Sequence, residues 1–223
     1  AEIDRVSEEG LKGLNVVLRD RTSIDPGEPM GINIERDEIV FFPLIYWPVR
    51  ADAPVPSDAA LAKIDSFMKN GGTIFFDLRD DGAGLDSLSG GATGAADALR
   101  RMLAKLDIPP LEPVPENHVL TRTFYLMQTF PGRYIEGQLW VEQMDAEGST
   151  SGAIDGVSSI IIGANDYASA WALDANGEPL YAVIPGIERQ REFAFRTGVN
   201  VVMYALTGNY KADQVHIPAL LER

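Results

Sequence analysis

Apolar positions in the first part of the chain change from helical to strand spacing. Apolar side chains recur three or four positions apart from Leu11 to Leu18, which predicts a helix over about 8–21 with Ser7 as its N-cap. The continuous apolar run Ile39–Tyr46 follows, and it is typical of a buried strand. A helix followed by a strand is therefore the first pair of elements that we predict.

A second helix and strand follow directly. Ser57 is a suitable N-cap for a helix that Gly71 ends, and the apolar run Thr73–Leu78 begins immediately after it. Strand, helix and strand within about forty residues form a βαβ unit, and such a crossover gives parallel neighbouring strands in a right-handed sense. The first eighty or so residues therefore predict a parallel sheet.

The rest of the chain continues the mixture of helices and strands. The remaining predicted elements are a helix over 95–106, a proline-rich extended stretch over 109–115, strands over 138–143 and 158–162, and a long helix over 188–206 that Gly208 ends. We predict a single α/β domain over 1–223, in which a mainly parallel sheet is flanked by helices. An irregular lobe at about 109–157 is expected over the carboxyl edge of the sheet.

Composition narrows the classes of partner and chemistry. The chain has 223 residues, no cysteine and a net charge of −14, so nucleic acid and anionic lipid would be repelled. No apolar stretch reaches the length of a membrane span, so we expect no direct membrane insertion. Dinucleotide, phosphate-loop, nucleophile-elbow and His-Glu-x-x-His signatures are absent, and we expect no cofactor and no metal. Ala1 indicates a cut made upstream, by processing or by design.

Polar residues follow two of the predicted strands. Asp77, Arg79 and Asp80 come at the end of the 73–78 strand, and Asn165 and Asp166 follow the 158–162 strand. Because open α/β sheets place ligands at the carboxyl ends of strands, these side chains are candidates for binding a polar ligand, and Asp77 with Asp166 for acid–base work. The alternatives are a local cap or solvated loop for the first group and an Asx turn for the second, and we favour these structural interpretations.

Three further candidates lie elsewhere in the sequence. Asn117 and His118 follow a proline-rich stretch, and a histidine at a loop edge suits a general base or a ligand-binding residue. Lone histidines are more often hydrogen-bonded structural residues. Arg191 lies near the start of the long helix, where basic side chains oppose the macrodipole, so an acidic partner or a ligand anion is expected nearby.

An ordered set of motifs across nearly the whole chain resembles a bacterial family, domain of unknown function 4159. The motifs are Phe42–Pro48, Gly71–Asp77, Asn117-His118 followed by Phe124-Tyr125, Asn165-Asp166, and Arg191 together with Gly198–Gly208. The resemblance implies a flavodoxin-like, class I glutamine-amidotransferase-like sandwich within a larger membrane-anchored protein of the bacterial cell envelope. It also implies a hydrophobic strand before the first helix, so the first strand of the sheet is in question. It implies no activity.

Two functions remain open at this point. The missing cysteine removes the nucleophile of glutaminases, which favours a non-catalytic domain that binds a small polar ligand or a protein partner. The alternative is a hydrolase of a small polar or sugar-like substrate that uses Asp77, His118 and Asp166, with or without a divalent ion. The hydrolase requires that these three side chains open into one pocket.

Overall fold

A five-stranded mixed sheet forms the centre of the fold in the computed structural model, which describes residues 2–79, 94–143 and 157–221, the last with side chains up to 207. The elements are α1 (Glu2–Arg21), β1 (Leu44–Pro48), α2 (Asp58–Lys69), β2 (Thr73–Asp77), α3 (Ala95–Leu103), β3 (Leu111–Pro113), a 3₁₀ helix (Val119–Thr121), β4 (Trp140–Glu142), β5 (Ile160–Gly163), α4 (Tyr167–Trp171) and α5 (Gln190–Leu221). The predicted α/β class is confirmed.

The order of the strands is β1-β2-β5-β4-β3. Strands β1, β2 and β5 are parallel, whereas β4 pairs antiparallel with both β5 and β3. The sheet is therefore mixed rather than mainly parallel. Parallel neighbours need a long crossover, usually a helix, and the stretch between β3 and β4 contains only one turn of 3₁₀ helix. Part of the segment that we predicted as an irregular lobe thus extends the sheet, while its residues 144–156 lie outside the described part.

Alternate residues of the strands pack on opposite faces of the sheet. Ile74 and Phe76 contact the core beneath α2 and α3, whereas Phe75 and Ile161 contact the core formed with α1, α4 and α5. All five residues of β2 are buried. Burial on both faces explains why the Thr73–Asp77 sequence is continuously apolar up to its final carboxylate.

Two helix boundaries differ from the prediction by more than a turn. The first helix begins at Glu2, so Ser7 is an interior residue whose hydroxyl donates to the carbonyl of Ile3 (2.8 Å) instead of acting as an N-cap. Acidic residues in its first turn, Glu2 and Asp4, favour the helix dipole at this earlier start. The last helix continues through Gly208 to Leu221, because an interior glycine lowers helix stability without ending the helix.

Other boundaries follow the sequence closely. The Ser57 side chain accepts a hydrogen bond from the amide of Ala60, as expected for an N-cap, and Gly71 has a φ of 89° just beyond α2. Strand β1 is shorter than the predicted run Ile39–Tyr46, because the amide of Phe42 turns back to the carbonyl of Ile39. The β1–α2–β2 unit that the sequence predicts is present.

Helix α1 lies unusually close to α4. At Gly10 a β-carbon would overlap the carbonyl oxygen of Ala168, and at Gly13 it would overlap that of Trp171. Only glycine permits this approach of two backbones. The contact holds α4 at the end of β5, which is where the candidate polar residues lie.

Candidate functional site

The parallel register brings the candidate residues of two strands together. Asp77 is the last residue of β2 and pairs with Gly163, the last residue of β5. Asn165 and Asp166 follow Gly163 and lead into α4. The carboxyl ends of the central strands therefore carry Asp77, Asn165 and Asp166 side by side, and we call these three residues the strand-end cluster.

The Asp77 carboxylate is completely buried and accepts four hydrogen bonds. Oδ2 accepts from the hydroxyl of Tyr46 (2.6 Å) and the amide of Tyr167 (2.7 Å). Oδ1 accepts from the amides of Arg79 (3.0 Å) and Asp166 (3.3 Å). Two donors on each oxygen use the full acceptor capacity of a carboxylate. The side chain therefore caps the first turn of α4 and fixes the chain after β2, and it has no acceptor left for a ligand.

Burial is the largest cause of the shift in the pKa of Asp77. Removal from water, followed by the nearby charge of Asp166, raises the pKa of Asp77 to about 6, although hydrogen bonds from Tyr46, Tyr167 and Arg79 oppose the shift. Burial and the charge of Asp77 likewise raise the pKa of Tyr46 well above its ordinary value, so this phenol remains a donor.

Asp166 forms ion pairs with two arginines. Its Oδ1 accepts from Nε of Arg79 (3.0 Å), and its Oδ2 accepts from Nη1 of Arg133 (3.4 Å). The Asp166 side chain is only 4% exposed. Both Asp166 (φ 50°) and Arg79 (φ 55°) adopt the left-handed region, which non-glycine residues rarely occupy. The ion pairs between Asp166 and the two arginines hold the backbone turns at Asp166 and at Arg79 in place.

Asn165 braces the loop that precedes β4. Its Oδ1 accepts from the amide of Gly137 (2.9 Å), and its Nδ2 donates to the carbonyls of Phe130 (3.0 Å) and Gly137 (2.8 Å). The side chain is fully buried. Both ends of the amide are therefore engaged within the protein, and the Asx-turn interpretation is replaced by a longer-range contact.

His118 does not join the strand-end cluster. Its Nδ1 accepts from the amide of Leu120 (3.2 Å), which caps the 3₁₀ helix, and its ring packs on Tyr204 with centroids 5.5 Å apart. The Tyr204 hydroxyl accepts from the amide of Ser158, just before β5 begins, whereas Asp77 pairs with the last residue of β5. Ser158 and Gly163 lie five positions apart in extended chain, which places them roughly 16 Å from each other.

The surroundings of His118 also oppose acid–base work at neutral pH. The residue is 1% exposed, and burial lowers the pKa of His118 to about 4, so its imidazole is neutral. Its neighbour Asn117 is exposed, and the Asn117 carbonyl accepts from Arg122 (2.8 Å). The condition that we set for the hydrolase, convergence of Asp77, His118 and Asp166, is not met.

The last two candidates have different outcomes. Arg191 donates to the carbonyls of Ala170 (2.6 Å) and Tyr181, and burial lowers the pKa of Arg191. Both hydrogen bonds go to carbonyls and not to the acidic group that the sequence predicts, so Arg191 braces α4 and the chain that follows it. Asp80 lies outside the described residues.

Two important members of this environment, Tyr46 and Arg133, are missing from the sequence prediction. Tyr46 lies in β1. The sequence does contain a signal for its position near Asp77, because neighbouring parallel strands bring their carboxyl ends together. Arg133 lies in an irregular segment far from Asp166 in sequence, and no local pattern indicates it.

An open groove of about 630 Å³ lies at the edge of the sheet, beside β1. Its walls are the first half of α1, the segment 29–37 and the strand residues Ile45–Pro48. Apolar side chains dominate these walls, and Met30 at the rim is 70% exposed. The groove is thus open to solvent, in contrast to the closed strand-end cluster.

The described residues give two negative findings. They contain no group of three or more histidine or acidic side chains arranged to hold a metal ion. Within the same ranges, no helix combines the length and the apolar character needed to cross a membrane.

The fold and the strand-end cluster define an α/β domain in which the buried polar side chains at the strand ends are hydrogen-bonded to other parts of the chain. The chain belongs to the family described as Domain of unknown function (DUF4159), whose family model matches residues 1–206. The family resemblance drawn from the motifs is confirmed. No curated protein matches the chain significantly.

Proposed function

We propose that this domain is a non-catalytic protein-binding module of a larger, membrane-anchored protein of the bacterial cell envelope. The observation that supports it best is the state of the strand-end cluster, where Asp77, Asn165 and Asp166 are at most 3% exposed and are bonded to other parts of the chain. A reactive centre needs polar groups that face a substrate. The open groove beside β1 offers an apolar surface instead.

The missing thiol supports the same proposal. A glutamine-amidotransferase-like fold is the finer class that we propose for the parallel β1-β2-β5 core with helices on both faces. Glutaminases of that fold use a cysteine nucleophile activated by a histidine, and this chain has no cysteine. The envelope setting rests on the family resemblance.

An activity screen tests the non-catalytic part of the proposal. The full chain is incubated with glutamine and with nitrophenyl ester, phosphate and glycoside substrates, and we expect no turnover above buffer. Turnover that is abolished in Asp77→Asn or Asp166→Asn, while the Asp25→Asn control retains it, would contradict the proposal. Asp25 is the control because its carboxylate is exposed and pairs only at the surface with Arg19.

Cell fractionation tests the envelope part. An antibody against the domain is expected to detect the native protein in the membrane fraction and to lose it after detergent extraction. A native protein found entirely in the soluble fraction would contradict this part and would leave the binding proposal standing.

A further inference from the structure

Arg79 and Arg133, which we call the arginine pair, have hydrogen-bond donors that the described chain does not use. Nε of Arg79 and Nη1 of Arg133 donate to the two oxygens of the Asp166 carboxylate. Within the described residues, no further hydrogen bond engages either guanidinium group, so both Nη groups of Arg79 and Nη2 of Arg133 are free. The two side chains are 22% and 30% exposed, and these free donors are therefore accessible from solvent.

The orientation of the arginine pair is fixed by the protein. Asp166 is almost completely buried and bonds one nitrogen of each arginine. The guanidinium of Arg133 also lies over the ring of Tyr134, 5.6 Å from its centroid. Because both arginines bond one carboxylate, they lie within the span of a single small anionic group. Donors that are already oriented lose little conformational entropy when a ligand binds.

The arginine pair lies where the chain leaves two neighbouring strands towards opposite faces of the sheet. Arg79 follows β2, and the next described helix, α3, packs on one face. Asp166 follows β5, and α4 begins immediately on the other face. In open α/β sheets, ligands bind in the crevice that such a divergence opens at the carboxyl ends of the strands. The arginine pair therefore occupies the position of a ligand site.

Two local features of the arginine pair are costly to the fold. Nε of Arg133 is buried and has no hydrogen-bond partner within the described residues. Arg79 adopts a left-handed backbone conformation, with a φ of 55°. Unpaired buried donors and strained backbone are both more frequent at binding sites than elsewhere, because function retains them. A role limited to pairing with Asp166 explains neither feature.

The charges nearby determine which ligand the arginine pair attracts. Asp166 and Asp77 are the acidic side chains that act most strongly on Arg79, and both carboxylates are already bonded inside the protein. The free guanidinium donors require an acceptor with negative charge. Two guanidinium groups on separate segments suit a tetrahedral phosphate better than a planar carboxylate, because phosphate offers oxygens in more directions.

We propose that Arg79 and Arg133 bind the phosphate group of a small soluble ligand at the carboxyl ends of β2 and β5. Nucleic acid and anionic lipid carry the same group on polyanionic surfaces, which a chain of net charge −14 repels. Guanidinium groups stay protonated and supply no base, so the site adds ligand binding to a non-catalytic domain. The inference does not depend on the groove beside β1.

The test follows the guanidinium resonances of the isotope-labelled full chain by NMR while inorganic phosphate is added at pH 7 and constant ionic strength. We expect saturable shifts at Arg79 and Arg133 and none at Arg21. Arg21 is the matched control, because it is also half-buried and both of its Nη groups are bound to Glu192. Acetate should bind at least about fivefold more weakly than phosphate. Vesicles that contain phosphatidic acid should not sediment the protein.

Variants separate a specific site from the general effect of charge. Arg133→Gln and Arg21→Gln each remove one positive charge from an arginine that pairs with a carboxylate. We expect Arg133→Gln to weaken phosphate binding by about tenfold or more and Arg21→Gln to change it by less than about twofold. Thermal unfolding checks that both variants are folded, and the resonances of the wild-type protein decide the question if Arg133→Gln is not.

A further variant tests the acidic residues next to Arg79 in sequence. Asp80 and Asp81 lie outside the described residues, and their charges oppose an anion nearby. The double variant Asp80→Asn, Asp81→Asn should therefore bind phosphate at least as tightly as the wild-type protein. Weaker binding would overturn the inference, because the phosphate would then be held by a cation on these carboxylates.

Four other results would also overturn the inference. They are no saturable shift up to tens of millimolar phosphate, equal effects at Arg21 and Arg133, acetate binding as tightly as phosphate, and sedimentation with vesicles that Arg133→Gln abolishes. The last result would make a lipid surface the source of the phosphate group. Each of them leaves the proposed protein-binding function standing, because none involves the groove beside β1.

Discussion

Asp77 is a buried carboxylate that connects two strands and a helix. Asp77→Asn would turn one acceptor oxygen into an NH₂ group facing two donors, such as the amides of Arg79 and Asp166 or the amide of Tyr167 and the hydroxyl of Tyr46. An unsatisfied buried donor costs about 1–3 kcal/mol. We expect the variant to lower the free energy of unfolding by about 1–3 kcal/mol at pH 7, measured by denaturant titration.

The matched control is Asp25→Asn, at an exposed carboxylate whose ion pair with Arg19 lies at the surface. Its free energy of unfolding should stay within about 0.5 kcal/mol of that of the wild-type protein. An unchanged or raised midpoint for Asp77→Asn would show that Asp77 is held at a cost to the fold, as binding residues often are.

The raised pKa of Asp77 predicts a specific pH dependence. Its folded pKa of about 6 exceeds the ordinary value of 3.8, so protonation of Asp77 stabilises the fold relative to the ionised form. This contribution is complete below about pH 4 and is lost as the pH rises through about 6. The difference in unfolding free energy between wild type and Asp77→Asn should shrink by on the order of 2–3 kcal/mol from pH 4 to pH 7.

Urea titrations of both proteins across this range measure the dependence. Any pH effects that the two proteins share cancel in the difference, so the remaining slope belongs to Asp77 and to groups coupled with it. A difference that grows as the pH rises would mean that hydrogen bonding outweighs burial and that the pKa of Asp77 is lowered.

At the scale of elements, the close contact between α1 and α4 positions the strand-end cluster. Gly10→Ala would place a methyl group on the carbonyl of Ala168, although alanine has the higher helix propensity by about 1 kcal/mol. Overpacking of this kind costs about 1–3 kcal/mol, so we expect a net loss of stability in thermal unfolding. Gly27→Ala is the control, since a β-carbon there meets no atom within 4 Å. A stabilised Gly10→Ala would contradict the close helix contact.

Local patterns predicted the elements with strong local signals and missed those that depend on distant contacts. The Ser57 cap, Gly71 and the apolar run at Thr73 fix the β1–α2–β2 unit without help from other parts of the chain. Strand β3 has only three residues, Leu111–Pro113, and its antiparallel pairing with β4 is set by partners, not by propensity.

The residues of the candidate site also divide into those that a local sequence pattern indicates and those that distant contacts place. Asp77 and Asp166 were candidates for one site because both follow strands of one parallel sheet, and the register places them together. The convergence of His118 with the two aspartates was the condition set for the hydrolase, and no sequence pattern indicates it. The 3₁₀ turn fixes His118 at the other end of β5. Arg133 approaches Asp166 only through tertiary structure.

At the scale of the whole molecule, the polar side chains at the strand ends are buried and bonded within the chain, whereas the apolar groove beside β1 is open to solvent. The central strands end in a cluster that is bonded internally, while β1 borders an open groove of about 630 Å³. Open apolar surface with a polar rim is typical of interaction sites. This contrast is the basis for proposing that the domain binds a partner and does not catalyse a reaction.

Photocrosslinking in the native protein tests that assignment most directly. A photoreactive residue replaces Met30, which is 70% exposed at the groove, or Leu126, which is 85% exposed and does not line the groove. We expect one discrete heteromeric product from position 30 and none from position 126. Absence of a product at position 30, or equal products at both positions, would contradict a protein-binding role for the groove beside β1.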